Sequence, residues 1–157
     1  MNPNLNLLQP YPFQKLRQLL ESTTRNAALP PIDLQIGEPK HATPLFIRQA
    51  LIDHLDGLSN YPTTQGLSVL RKSIANWIKQ RFHLPGIDPD TQIIPINGSR
   101  EALFSFAQAV IDNRQNQPVV VCPNPFYQIY EGAALLAGAT PHFINTLPEN
   151  GFKLDFS

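Results

Sequence analysis

An α/β fold with a mainly parallel sheet is predicted for this 157-residue chain by three observations. Strand-like and helix-like segments alternate from residue 93 to residue 144, the pattern of βα units. Short apolar runs such as Val119–Val121 suit strands covered on both faces. The 16 prolines gather at 10–12, 30–31, 39–44, 85–95 and 118–125. A residue with fixed φ and no N–H collects where segments begin and end.

Taken in order, the first element is a helix from Pro12 to about Thr24, with Phe13, Leu16, Leu19 and Leu20 on one side. Ile32–Ile36 reads as a short strand stopped by Gly37. Thr43 followed by Pro44 starts a helix, a hydroxyl at the cap and proline at the first helical position, ending near Gly57. A longer helix follows Gly66. Its apolar stripe is Leu67, Leu70, Ile74, Trp77 and Ile78, and Arg71, Lys72, Lys79 and Gln80 fall on the remaining surface. Ile93–Ile96 is a buried strand candidate, and a helix opens at about Ser99. Val119–Cys122 is a second strand, residues from about Phe126 to Ala137 are helical up to Gly138, and Ala139–Ile144 is a last strand.

The composition excludes several classes. Twelve basic and twelve acidic residues cancel, so neither a nucleic-acid footprint nor a polybasic membrane patch is present. No apolar run approaches a membrane span. The start, MNPNLNLLQPYPF, has no basic region and no continuous apolar stretch, so it is not a secretory signal. A cytoplasmic protein that binds neither nucleic acid nor membrane is expected. Cys122 is the one cysteine; after three valines it reads as a buried strand-end thiol rather than a nucleophile, and no internal disulfide can form. His54, His83 and His142 are scattered, without metal-ligand spacing. A chain this long is expected to bury about 70% of its extended surface around one sizeable core.

Two segments carry candidate chemistry. Ile93-Ile94-Pro95-Ile96-Asn97-Gly98-Ser99-Arg100 is a strand, a tight turn and a helix start. A helix N-terminus offers unpaired N–H groups and partial positive charge. Gly98 permits close approach, Ser99 adds a hydroxyl, and Arg100 adds an N–H or a guanidinium. This suits a phosphate monoester, although the same junction also serves purely structural ends. The second segment, Pro123-Asn124-Pro125-Phe126-Tyr127-Gln128-Ile129-Tyr130, follows a strand and so belongs at the carboxyl end of the sheet, where α/β ligands bind. Its aromatics serve equally to pack a core or to stack on a flat heteroaromatic ring.

Gly37-Glu38-Pro39, Thr43-Pro44, Tyr61 with Gly66, Leu70-Arg71, Asn97–Leu103 and Pro123–Tyr127 occur in an order and spacing that resembles the N-terminal portion of class I/II aminotransferases of fold type I. The resemblance covers essentially the whole chain. IGEPKHATP (36–44), NYPTTQGL (60–67), NGSREALFSFAQAV (97–110) and CPNPFYQIYEGAALLAGATP (122–141) resemble the succinyldiaminopimelate aminotransferases in particular, which serve the diaminopimelate route to lysine. General aspartate-, alanine- or aromatic-type aminotransferases and a non-catalytic truncated product are the alternatives.

The resemblance implies pyridoxal 5'-phosphate as cofactor, an amino acid and a keto acid as substrates, and a homodimer. It assigns Ser99 and Arg100 to the cofactor phosphate, Tyr127 to the face of the pyridine ring, Gly37 to the substrate α-carboxylate and Tyr61 to the phosphate of the neighbouring subunit. It implies an N-terminal arm and small-domain segment over 1–45 and an incomplete large domain over 46–157. Lys40 and His41 stand where the family usually carries an acidic residue and an aromatic. They suit a carboxylate-rich substrate or are simply a solvated loop.

The family's Schiff-base lysine lies in a serine-flanked context that none of Lys15, Lys40, Lys72, Lys79 and Lys153 has. No catalytic residue is therefore assigned within the chain. These 157 residues alone are expected to be inactive and to bind the cofactor weakly or not at all.

Overall fold

The computed structural model describes residues 1–114 and 117–156. The chain divides into two compact units: Met1–Thr23 together with the chain from Ile96 onward, and Thr24–Pro95.

The first unit opens with a 3₁₀ turn, Pro3–Leu7, capped by the Asn2 side chain, which accepts the Asn4 N–H at 3.0 Å. Helix α1 follows over Pro12–Glu21. After the second unit come α4 (Ser99–Val110), β1 (Val119–Asn124), α5 (Ile129–Leu136) and β2 (Thr140–Asn145). Here β1, α5 and β2 form the expected βαβ unit. The strands pair in parallel, Val119 opposite Thr140 through Asn124 opposite Asn145. The Asn124 amide donates to the Asn145 side-chain oxygen at 2.8 Å, and the Thr146 N–H and hydroxyl both donate to the Asn124 carbonyl. This fixes the carboxyl end of the pair. The Asn124–Pro125 peptide is cis.

Helix α5 is shorter than the pattern suggested, but it stops where expected. The Ala139 N–H donates to the Ala134 carbonyl (2.9 Å) and the Gly138 N–H to the Leu135 carbonyl (3.0 Å), a Schellman ending that needs the left-handed φ of +84° at Gly138.

In the second unit, α2 (Leu45–Asp53) and α3 (Ser68–Phe82) are the regular elements. Pro44 caps α2 rather than opening it. Its ψ of 141° is extended, and its carbonyl accepts the N–H groups of Ile47 and Arg48. The helix ends at Asp53, and a separate 3₁₀ turn, Leu55–Ser59, carries Gly57.

Two expected strands are absent. Ile32–Ile36 and Ile93–Ile96 join no ladder, and the pair β1–β2 is the whole sheet among the described residues. A strand is stable only when a neighbour takes its N–H and C=O groups. Neither run has one here, and Pro95 has no N–H to offer.

The core is also smaller than expected. Its buried apolar residues are Ala75, Cys122, Ala133, Ala134, Ala137 and Ala139. Val119 and Val121 on β1 are 59% and 49% exposed, so one sheet face is uncovered. Cys122 is fully buried, as its valine-rich context suggests, and burial together with Glu131 pushes its thiol pKa up. No helix among the described residues is long and apolar enough to cross a membrane, and no cluster of metal-ligating side chains is found among them.

Candidate functional site

The turn Asn97–Arg100 places a helix N-terminus at the surface of the first unit. Gly98 is the N-cap of α4, and its carbonyl accepts the Ala102 N–H at 3.2 Å. No side chain caps this end. The N–H groups of Ser99, Arg100 and Glu101 therefore have no hydrogen-bond acceptor among the described residues and carry the partial positive charge of the helix.

The φ of −177° at Gly98 is one any residue adopts, and a β-carbon there would meet the flexible end of the exposed Glu101 side chain, which can move aside. Glu101 is an acidic group in the first helical turn, a favourable place for it, and one the sequence reading did not single out.

Ser99 is the first residue of α4 and is exposed. Arg100 follows it, and its guanidinium is directed at the loop after β1. Its Nε donates to the Tyr127 hydroxyl at 3.0 Å, and its guanidinium carbon lies 5.6 Å from the Tyr127 ring centroid. The Tyr127 hydrogen bond is the main cause that raises the arginine's pKa. Tyr127 is 39% exposed, and the edge of one ring meets the face of the other in its pair with Tyr130, with centroids 5.9 Å apart.

The aromatics of the second segment divide their work. Phe126 packs on Phe143 of β2, with centroids 4.8 Å apart, which is the core role. Tyr127 instead faces a cation. The turn before α4 and the loop after β1, separated in sequence, thus meet through one arginine. An uncapped helix start, a hydroxyl, a guanidinium and an aromatic phenol are the donor set that a phosphate monoester on an aromatic ring calls for, so the residues present fit pyridoxal 5'-phosphate.

Gly37 and Tyr61 belong to the second unit. Gly37 has open space where a side chain would be, and Tyr61 is 96% exposed.

The model of the family described as aminotransferase class I and II matches residues 30–157. The LL-diaminopimelate aminotransferase of Aquifex aeolicus is 34% identical over 154 residues, which are 96% of this chain and 38% of that protein. A crystal structure of an aminotransferase from Neisseria meningitidis is 46% identical with a TM-score of 0.90, over 99% of this chain and 39% of that one. Aminotransferase AspB from Helicobacter pylori is 39% identical with a TM-score of 0.84, over 96% of this chain and 39% of its own. The chain thus spans about two fifths of the length of the relatives it matches. With most of its residues matched by the family model and nearly all of them superposed on solved aminotransferases, this chain belongs to the class I and II aminotransferase family.

Proposed function

We propose that these residues supply the phosphate- and ring-holding part of a pyridoxal-phosphate-dependent aminotransferase acting on N-succinyl-diaminopimelate. The observation that carries the cofactor reading is the uncapped start of α4, joined through Arg100 to Tyr127. Support for the substrate comes from the stretches 36–44, 60–67, 97–110 and 122–141, which resemble the succinyldiaminopimelate type.

When bound, the cofactor supplies an electron-withdrawing ring on which the amino group is exchanged. The residues of this chain bind and orient it. The Ser99 hydroxyl and the first N–H groups of α4 hold the phosphate, and Arg100 adds positive charge beside them. Tyr127 offers its ring to the cofactor ring. Gly37 offers a backbone N–H to the substrate α-carboxylate, and Tyr61 reaches the phosphate of a second subunit in a homodimer. On this reading residues 1–45 are the arm and small-domain segment, and 46–157 begin the large domain.

The 157 residues alone do not transaminate, because none of the five lysines occupies the position to which the family joins its cofactor. Three or four phosphate contacts at about 1 kcal/mol net each give only roughly millimolar affinity.

A second reading has LL-diaminopimelate itself as substrate, without the succinyl group. It is favoured by the name of the Aquifex relative. Comparing kcat/KM of the full natural protein on N-succinyl-LL-diaminopimelate and LL-diaminopimelate, with a common 2-oxo acid acceptor, separates the two. The succinylated substrate is expected to be preferred by at least about 100-fold, below the roughly 10⁴-fold by which a site rejects a ligand that leaves its polar groups unpaired. Preference for the free diamine would assign the second reading, and activity confined to aspartate or aromatic amino acids would rule out both.

A further inference from the structure

Tyr61 is 96% exposed, yet the segment that leads from it into α3 is tied at several points. Pro62 restricts the backbone of the residue before it. The Gly66 N–H donates to the Thr63 carbonyl at 3.0 Å, which closes a turn. Gly66 has a left-handed φ of +69°, and a β-carbon there would lie 2.7 Å from the Pro95 ring. Arg71, buried in the first turn of α3, holds this turn by its backbone. Its Nη1 donates to the Gln65 carbonyl at 3.1 Å and to the Gly66 carbonyl at 2.7 Å. The rest of the fork engages a second turn: Nε donates to the Pro89 carbonyl at 2.9 Å and Nη2 to the Asp90 carboxylate at 2.8 Å. That second turn is itself stiff. The Asp88 carboxylate accepts the Asp90 N–H at 2.9 Å and the Thr91 hydroxyl at 2.6 Å, and the Asp88 N–H donates to the Gln92 side chain at 2.8 Å.

We propose that Arg71 is a positioning residue for Tyr61, locking the 63–66 turn onto the 88–92 turn so that Tyr61 meets the cofactor phosphate of a second subunit from one backbone conformation. The proposal rests on the reading of Tyr61 as the residue that reaches that phosphate. A tyrosine on a loose loop loses backbone freedom when it engages a ligand, and prior ordering of the loop lowers that cost. A planar fork of five donors can grip two turns at once, whereas an ammonium presents three donors from a single point.

The test uses the full natural protein freed of cofactor and titrated separately with pyridoxal 5'-phosphate and with pyridoxal, which lacks the phosphate. Binding is followed by cofactor absorbance. The wild type is expected to prefer the phosphorylated form. Tyr61→Phe should weaken pyridoxal 5'-phosphate about 3- to 10-fold, the scale of one hydrogen bond, and leave pyridoxal unchanged. Arg71→Lys should reproduce part or all of that selective loss, and in a Tyr61→Phe background it should add nothing. Ala75→Gly, which weakens α3 at another buried residue without removing a bond to the turn, should leave the preference for phosphate intact. Should Arg71→Lys fail to fold, Asp88→Ala decides instead: at an exposed residue it loosens the second turn and should give the same selective loss. An Arg71→Lys protein that binds both ligands as the wild type does, weakens both alike, or loses as much when Tyr61 is already phenylalanine would overturn the role given to Arg71 and leave the reading of Tyr61 standing. A Tyr61→Phe protein that keeps the full preference for phosphate would overturn both.

Discussion

Arg71 is the buried charged residue of the described core, at 7% exposure. Helical periodicity placed it on the polar surface of α3. Instead its guanidinium donates to the carbonyls of Pro89 (2.9 Å), Gln65 (3.1 Å) and Gly66 (2.7 Å) and to the Asp90 carboxylate (2.8 Å). Asp90 is 65% exposed, so the ion pair itself is worth little. The weight lies in the three backbone carbonyls that take up the donors of a guanidinium which is itself buried. Arg71→Ala is expected to lower the unfolding free energy by about 2–4 kcal/mol, read from the denaturant midpoint. Arg71→Lys should recover less than half of that loss, because an ammonium cannot reproduce the fork. An unchanged midpoint for Arg71→Ala would contradict this. No periodicity rule could find the role, since its partners lie in turns that only the folded chain brings together. Ser99, Arg100 and Tyr127 were singled out for the opposite reason: each sits at a junction whose local chemistry is written in adjacent residues.

At the scale of elements, local signals carried far. The helices were visible from apolar spacing and proline starts, β1 from its apolar run, and β2 as the segment that follows the Gly138 helix stop. Gly138 marked the end of α5 because one left-handed residue closes a Schellman turn. That position also admits no side chain: a β-carbon would lie 2.8 Å from the Asn113 amide nitrogen and 2.9 Å from its β-carbon. Gly138→Ala is expected to cost about 1–2 kcal/mol for the left-handed backbone alone, plus whatever displacing Asn113 adds, and should appear as a lowered Tm. A variant as stable as the wild type would show that the turn is not held as described. The runs at 32–36 and 93–96 failed as strands because apolar composition reports what a segment could bury, whereas a strand also needs a partner edge. That partner is not a property of the segment.

At the scale of the molecule, the alanine-lined core and the exposed valines of β1 match a chain that spans about two fifths of its relatives' length. Family membership was legible because the aminotransferase motifs are short, ordered and spread along the chain. The extent of the core was not, because surface scaling assumes that a chain is enclosed by its own residues.

The most direct measurement is to reduce the cofactor-loaded full natural protein with borohydride and map the pyridoxyl-labelled peptide. The expected label is on a lysine outside residues 1–157, with the cofactor phosphate held by the 97–100 turn. A label on Lys15, Lys40, Lys72, Lys79 or Lys153, or no labelled lysine at all, would contradict the central claim that these residues cradle the cofactor while the reacting lysine lies elsewhere.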